Sequence, residues 1–360
     1  MIIQSHSKEY QVEIYEDFSF LEELFAIPDS FFVLDETVYR LYKEQIFSRY
    51  EQELKDRFCL IRAEESNKTI ETALSVCEKI SNLRAKRNAV LVSMGGGIIQ
   101  DITGFAANVL YRGIQWKFVP TTLLAACDSC IGGKTSLNYK EYKNILGTFY
   151  APDQIYICPS FFNSLIQRDF ESGLGEVVKF NIMAGEEGIT LLEHDLDKLL
   201  LKDNELLGKF VLRSLLFKKQ FIEKDEFDRG VRIQLNFAHT FGHAFETVSH
   251  YEIPHGTAVA MGTVAANHIS WKRGWISGEL VQRMEALLLK IIHVDWKCLG
   301  DDMGAVINAM HKDKKQIGNS LTTVLMKEDN RELCIVHDTT EEEIREAVEH
   351  LAALLRGSVL

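Results

Sequence analysis

The stretch Asn88–Ala107, NAVLVSMGGGIIQDITGFAA, decides how the rest of the chain is read. An apolar run ends at three glycines, Gly95 to Gly97, and helical spacing follows from about Ile98. Strand, glycine turn and helix in that order let the backbone approach a ligand closely. The helix start beyond the turn offers N–H groups and a positive dipole end to a pyrophosphate. The pattern is not GxGxxG, and a tight corner would also use glycine. Asp101, one turn into the helix, favours the ligand reading, because a carboxylate there suits a ribose or nicotinamide contact better than it suits a core.

Working outward, the first half repeats this rhythm. SFFVLD (30–35), a helix from ETVYRLY, FCLIRA (58–63) and a helix from KTIETALSVCEKI precede it. Strand alternating with helix implies a parallel sheet covered by helices. From about Phe170 the texture changes to long segments of helical periodicity, with few strand-like runs until LTTVLM (321–326) and LCIVH (333–337). These features predict an N-terminal α/β domain of residues 1–167 and a mainly helical domain of residues 168–360.

At 360 residues and 46% apolar the chain can bury a large core. Its 40 basic and 52 acidic residues leave a net charge of −12, which argues against nucleic acid and anionic membranes as partners. An anionic ligand must therefore meet a local basic site. The seven cysteines form no regular framework, and the one CxxC, Cys127 and Cys130, has no second pair to complete a zinc ribbon, so two buried thiols are expected. No run reaches the roughly 18 to 20 apolar residues of a membrane span. A soluble, cytoplasmic protein is expected.

Residues 111–152, YRGIQWKFVPTTLLAACDSCIGGKTSLNYKEYKNILGTFYAP, thread Arg112, Asp128, Lys134, Lys143 and Asn144 among apolar residues and glycines. Cations on a glycine-rich loop between apolar runs are what an anionic substrate needs in an acidic protein. Structural ion pairs are the plainer alternative. In SGLGEVVKF (172–180), Glu176 and Lys179 stand three apart, a spacing that on most helices makes only a weak surface pair. Residues 218–243 string together Lys218, Arg232, Asn236, His239 and His243, and His255 follows in IPHGTAVAMG. His239 and His243, four apart, share one helical face, so spacing alone selects them as metal ligands, with Glu176 or His255 completing the set. The Glu of an HExxH protease motif is absent.

With these residues laid out, the chain resembles the 3-dehydroquinate synthase family of sugar phosphate cyclases, from Asp35 to about Leu325. The resemblance is carried by GGGIIQDITGF, PTTLLA, DSCIGGKTSLN, KN before GTFYAP, GLGEVVK, DEFDRGVR, LNFAHTFGHAFE, HGTAVAMG and KDKK. It implies an α/β NAD-binding domain with a Rossmann-like parallel sheet, then an α-helical metal-binding domain, in a homodimer. The implied activity closes 3-deoxy-arabino-heptulosonate 7-phosphate, a sugar acid phosphate, into 3-dehydroquinate with loss of phosphate. NAD is oxidant and reductant in one cycle, and one divalent ion, zinc or cobalt, assists.

Position by position, the resemblance makes Glu176, His239 and His255 the metal ligands and moves His243 to the substrate. NAD would meet Asp35, Glu65, Lys68, Gly96, Gly97, Asp101, Thr121, Thr122 and Ser164. Lys134, Arg232 and Asn236 would take the substrate carboxylate, and Arg112, Asn144, Lys179 and His243 its phosphate. Asp128, Lys143, Lys218 and one of Lys314 or Lys315 would complete the polar lining. Departures from the family pattern include Ala238 for a glycine, Ile166 for a proline, Asp169 for a glutamate, Ser164 for a threonine, and Gln100 and Cys130. The rival readings are a sister cyclase acting on sedoheptulose 7-phosphate and a metal-dependent polyol dehydrogenase.

Overall fold

The computed structural model describes all residues except 7, 82–86, 141, 301–302, 313–320, 330–331 and 358–360. Contacts divide the chain into two units, Met1–Leu165 with Asn204–Leu215, and Ile166–Asp203 with Leu216–Leu360. The first holds strands β1 (Ile2–Gln4), β2 (Glu9–Ile14), β3 (Ser30–Asp35), β4 (Phe58–Ile61), β5 (Val90–Gly95) and β6 (Trp116–Pro120). Strands β7 (Lys134–Tyr139), β8 (Tyr142–Phe149) and β9 (Gln154–Ile157) follow. Its helices are α1 (Phe20–Phe25), α2 (Glu36–Tyr42), α3 (Glu51–Leu54), α4 (Ile70–Ser81) and α5 (Gly97–Val109).

Seven of these strands form a sheet in the order β1-β2-β9-β6-β5-β3-β4, antiparallel only between β1 and β2. Every residue of β3 and β5 is buried. That is why both read as unbroken apolar runs: a parallel sheet is covered on both faces. After β3 the chain moves outward to β4 and returns at β5 on the opposite side of β3, so the strand order reverses between β3 and β5. The carboxyl ends at such a reversal are where open α/β sheets bind ligands. Here they are Asp35 and Gly95, close enough that a Cβ on Gly95 would stand 3.3 Å from that of Asp35.

The glycine-rich segment after Asp128, expected as a loop, is instead an antiparallel hairpin of β7 and β8, paired from Lys134↔Phe149 to Tyr139↔Tyr142. Thr135 and Leu137 alternate inward at 3% and 0% exposure, which supplies the strand period that the surrounding glycines obscured. Cys127 and Cys130 are buried free thiols, as expected.

The second unit contains α6 (Gln167–Met183), α7 (Glu186–Leu200), the end of α8 (Asn204–Ile222), α9 (His239–Val248), α10 (His255–Lys272) and α11 (Gly278–Leu289). The hairpin β10 (Leu321–Lys327) and β11 (Glu332–Thr339) lies between α12 (Met303–His311) and α13 (Glu341–Gly357) in the chain. None of the described helices is long and apolar enough to cross a membrane.

Helix α10 is buried from Gly256 through Ser270, so its sequence carries no amphipathic period. Small residues let it pack backbone to backbone. A Cβ on Gly175 of α6 would lie 2.0 Å from the Gly256 carbonyl oxygen, one on Gly256 1.7 Å from that of Ser172, and one on Gly262 2.3 Å from that of Ala238. Gly256→Ala should therefore force α10 off α6 and cost about 3 kcal/mol, visible as a lower urea midpoint; an unchanged midpoint would show that the contact is dispensable.

A polar trio lies at the edge of this core, with His350 half-buried. His268 of α10 stacks on His350 of α13 at 4.3 Å, and His350 Nε2 lies 2.6 Å from Glu285 Oε1 of α11. Burial first, then the His350 and Lys272 charges, push the His268 pKa from 6.5 down to about 4. Because the folded value is the lower one, this histidine's contribution to stability is complete above pH 6.5 and lost as pH falls toward 4. His268→Phe should flatten the fall of Tm across that window. An equally steep fall in the variant would assign the acid sensitivity to other groups.

Candidate metal and dinucleotide sites

Three helices of the second unit deliver the candidate metal ligands. Glu176 lies in the middle of α6 and is fully buried; His239 and His255 are the first residues of α9 and α10. Glu176 Oε1 is 3.5 Å from the Nε2 atoms of both histidines. Bonds of about 2.0–2.1 Å at tetrahedral angles place ligand atoms about 3.4 Å apart, so these three fit one such ion.

The remaining ring nitrogens are committed elsewhere. His239 Nδ1 faces the Phe237 carbonyl at 3.0 Å, and His255 Nδ1 faces Glu246 Oε2 at 3.2 Å. Each contact turns its ring so that Nε2 points to the place where Glu176 Oε1 lies, the orientation that ligands of one shared ion need. The other oxygen of Glu176, Oε2, forms an ion pair with Lys179 Nζ at 2.7 Å. That ammonium is 1% exposed, donates to the Leu235 carbonyl at 3.2 Å and lies 4.2 Å from the Phe180 ring centre. Burial alone would lower the His255 pKa, but hydrogen bonds to Glu176 and Glu246 outweigh it and raise it to about 10. Two carboxylates around one imidazole make a place where positive charge is stabilised.

The HxxxH spacing selected a different pair. His239 and His243 do share a face, with ring centres 5.6 Å apart, but no cluster of close ligand atoms among the described residues contains both. One cluster is Glu176, His239 and His255; the other is His243, Glu246 and His255. Glu246, which spacing did not single out, belongs to LNFAHTFGHAFE and lies three residues after His243, close enough for both to face His255.

Nearby in sequence, Asp225 shapes the turn that presents Arg232 and Asn236. It accepts from the backbone N–H groups of Arg229, Gly230 and Arg232 at 3.0, 2.7 and 3.1 Å. Burial pushes its pKa up, and those donors more than reverse the effect, leaving it low. The Arg232 side chain is 3% exposed and donates from Nη1 to the Glu226 carbonyl. Lys218 on α8 is buried at 7% exposure. Ala238, which replaces the family's glycine, sits at φ +70°, the left-handed region where glycine costs least. Lys314 and Lys315 lie outside the described residues.

In the first unit the glycine turn forms the start of α5. Gly96 occupies its N-cap position, and a Cβ there would stand 3.0 Å from Thr122 Cγ2, so a side chain would close the space above the helix start. Asp35 caps α2 by accepting from Thr37 N at 2.8 Å, while burial pushes its pKa up. Thr121 is buried, Thr122 accepts from Ala125 N at 3.2 Å, and Ser164 closes its own turn on Phe161 at 2.9 Å. Gln100, another departure from the family pattern, exchanges hydrogen bonds with Ser129 at 2.7 and 2.6 Å and pins α5 to the segment that carries Asp128.

Lys68, Asp101 and Asn144, read separately in the sequence, form one network. Lys68 Nζ lies 2.6 Å from Asp101 Oδ2 and 2.6 Å from Asn144 Oδ1. Ser136 Oγ stands 3.0 Å from the first of these acceptors and 2.9 Å from the second. Glu65 joins through Asn138, whose Nδ2 donates to Glu65 Oε1 at 2.8 Å. Burial raises the Asp101 pKa, and Lys68 and Ser136 counter it. Lys134 and Lys143 stand on the same hairpin as Asn144, whereas Arg112 lies on the left-handed turn after α5 at φ +69° and takes no part in the network.

The family model for the 3-dehydroquinate synthase N-terminal part matches residues 58–172, and that for its C-terminal part matches 173–316. The 3-dehydroquinate synthase of Clostridium tetani is 35% identical over 325 residues, 89% of this chain and 85% of that protein. Among solved structures, a 2-deoxy-scyllo-inosose synthase complexed with carbaglucose-6-phosphate, NAD+ and Co2+ superposes with a TM-score of 0.84 at 22% identity, covering 97% of this chain and 99% of the other. The 2-epi-5-epi-valiolone synthase of Streptomyces hygroscopicus, with NAD+ and Zn2+ bound, gives 0.81 at 24%, covering 96% and 97%. The structural likenesses establish the fold; the two consecutive family matches, with a relative similar along nearly the whole chain, establish that this chain belongs to the 3-dehydroquinate synthase family.

Proposed function

We propose that the protein is a 3-dehydroquinate synthase, a carbon–oxygen lyase that converts 3-deoxy-arabino-heptulosonate 7-phosphate to 3-dehydroquinate and phosphate in the shikimate pathway. The observation that carries this reading furthest is the meeting of Glu176 Oε1 with two histidine Nε2 atoms at 3.5 Å, within a chain of that family. When bound, a zinc or cobalt ion supplies Lewis-acid polarisation of substrate hydroxyls. NAD+ supplies a hydride acceptor that returns what it takes.

The chain's own residues do the rest. Glu176, His239 and His255 hold the ion. Gly96 and Gly97 leave room for a pyrophosphate at the α5 start, with Asp101 beside it. Asp35, Glu65, Lys68, Thr121, Thr122 and Ser164 complete the cofactor contacts. Lys134, Arg232 and Asn236 take the carboxylate, and Arg112, Asn144, Lys179 and His243 take the phosphate, each by charge-assisted hydrogen bonds that fix orientation. Asp128, Lys143 and Lys218 are assigned to the polar lining.

A homodimer is part of the same proposal: the β7–β8 hairpin exposes Tyr139, Tyr142, Ile145 and Phe149, apolar surface that a second copy would cover, and sedimentation would reveal a monomer if it does not. Seven free thiols accord with a reducing, cytoplasmic setting.

Pure protein given NAD+, Zn2+ and 3-deoxy-arabino-heptulosonate 7-phosphate should release phosphate and dehydroquinate in equal amounts without accumulating NADH. His255→Ala should lose the metal, whereas His243→Ala should keep it and lose turnover. NADH rising in step with product would replace this reading with a polyol dehydrogenase, and metal lost only from the His243 variant would reverse the ligand assignment.

Substrate choice rests on Arg232. The Arg232 guanidinium is buried to 3% exposure, so a substrate carboxylate that meets it would form a charge-assisted contact shielded from water. Sedoheptulose 7-phosphate, which lacks the carboxylate, should therefore be disfavoured by roughly 10² to 10⁴ in kcat/KM. Arg232→Ala should narrow that ratio rather than lower both rates equally. Equal turnover of the two sugars by the wild-type protein would favour the sister cyclase instead.

A further inference from the structure

Asn144 stands in a conformation that asparagine adopts more readily than most residues, and its neighbours fix it there. Its φ is +53°, in the left-handed region. Asn138 Oδ1 accepts from its backbone N–H at 2.9 Å, and its side-chain oxygen receives Lys68 at 2.6 Å and Ser136 at 2.9 Å. An ammonium has no acceptor, so the amide atom facing Lys68 must be the carbonyl oxygen. The NH2 end is then the end with the chemistry to donate to a phosphate oxygen.

Ser136 carries a single hydroxyl proton and stands between two acceptors, Asp101 Oδ2 at 3.0 Å and Asn144 Oδ1 at 2.9 Å. It can serve only one of them at a time. Lys68, with three protons, serves both throughout.

We propose that Ser136 is a positioning residue that couples the cofactor to the phosphate end of the substrate by switching its hydroxyl proton between Asp101 and Asn144. The inference rests on the assignment of Asp101 to NAD+ and of Asn144 to phosphate made above. A cofactor donor arriving at Asp101 supplies that carboxylate and releases the Ser136 proton to Asn144. A phosphate accepting from Asn144 Nδ2 polarises the amide and makes its oxygen the stronger acceptor, which draws the proton the same way. Both ligands favour one state of the hydroxyl, so each must tighten the other. No covalent bond forms or breaks, and the proton stays on the serine.

The test is calorimetric titration of NAD+ into the zinc-loaded protein, with and without saturating inorganic phosphate. In the wild type, phosphate should tighten NAD+ by on the order of fivefold. Ser136→Ala should bind NAD+ with that ratio reduced to about one, and Ser136→Thr, which restores a hydroxyl, should recover it. Ser136→Val, which has threonine's shape without its hydroxyl, should stay at about one, which separates the hydroxyl from filled space. An unchanged ratio in Ser136→Ala, a threonine variant that fails to restore it, or phosphate weakening NAD+ in the wild type would each overturn the coupling while leaving the proposed function standing. A wild type that binds no NAD+ at all would remove that function and the coupling with it.

Discussion

The candidate metal centre depends on how closely α10 approaches its neighbours. A ligand separation of 3.5 Å requires that a glutamate inside α6 and histidines at the starts of α9 and α10 meet at one point. Ordinary helix packing at about 8–10 Å keeps backbones apart. Here Gly175 meets Gly256, and Gly262 meets the carbonyl of Ala238, so peptide groups touch where side chains would otherwise intervene. The all-round burial of α10 follows from the same geometry. The run HGTAVAMG thus carries one candidate ligand and the small residues that allow it to reach the other two.

Charge is organised by the same economy. The protein is acidic overall, yet Lys68, Lys179, Lys218 and Arg232 are all nearly buried. Burying a charge is tolerated only when a partner and hydrogen bonds compensate it. Lys179 has Glu176 and the Leu235 carbonyl, Lys68 has Asp101 and Asn144, and Arg232 has the Glu226 carbonyl. These partners also orient each cation, so its position does not rely on a flexible side chain finding its ligand.

Much of this was legible in the sequence, for identifiable reasons. The glycine turn was clear because period, composition and order all changed within a few residues at Gly95, and the parallel sheet followed from repeated strand–helix alternation. The HxxxH pair is a weaker guide, because spacing says which residues share a face and not what faces them, and neither cluster of close ligand atoms among the described residues contains both histidines. Glu176 is 63 positions before His239, and nothing local announces that they meet. The β7–β8 hairpin was hidden by its glycines and by a turn without an Asn-Gly signal. Ser136 carries no local signal, because its partners are a carboxylate 35 residues earlier and an amide eight residues later. The motifs of the family supplied what spacing could not, by fixing the order of residues that only the fold brings together.

The division of labour within Glu176 has a consequence for which ions the centre can accept. Because Oε2 is engaged by Lys179, the carboxylate would offer a bound ion Oε1 alone and so act as a one-toothed ligand. Calcium seeks six to eight oxygen donors and often takes carboxylates through both atoms; magnesium asks for octahedral oxygen. One carboxylate oxygen and two imidazoles satisfy neither. They would suit a smaller, more nitrogen-loving transition metal. A lysine that never touches the ion would in this way help to exclude the commonest divalent cations of the cell.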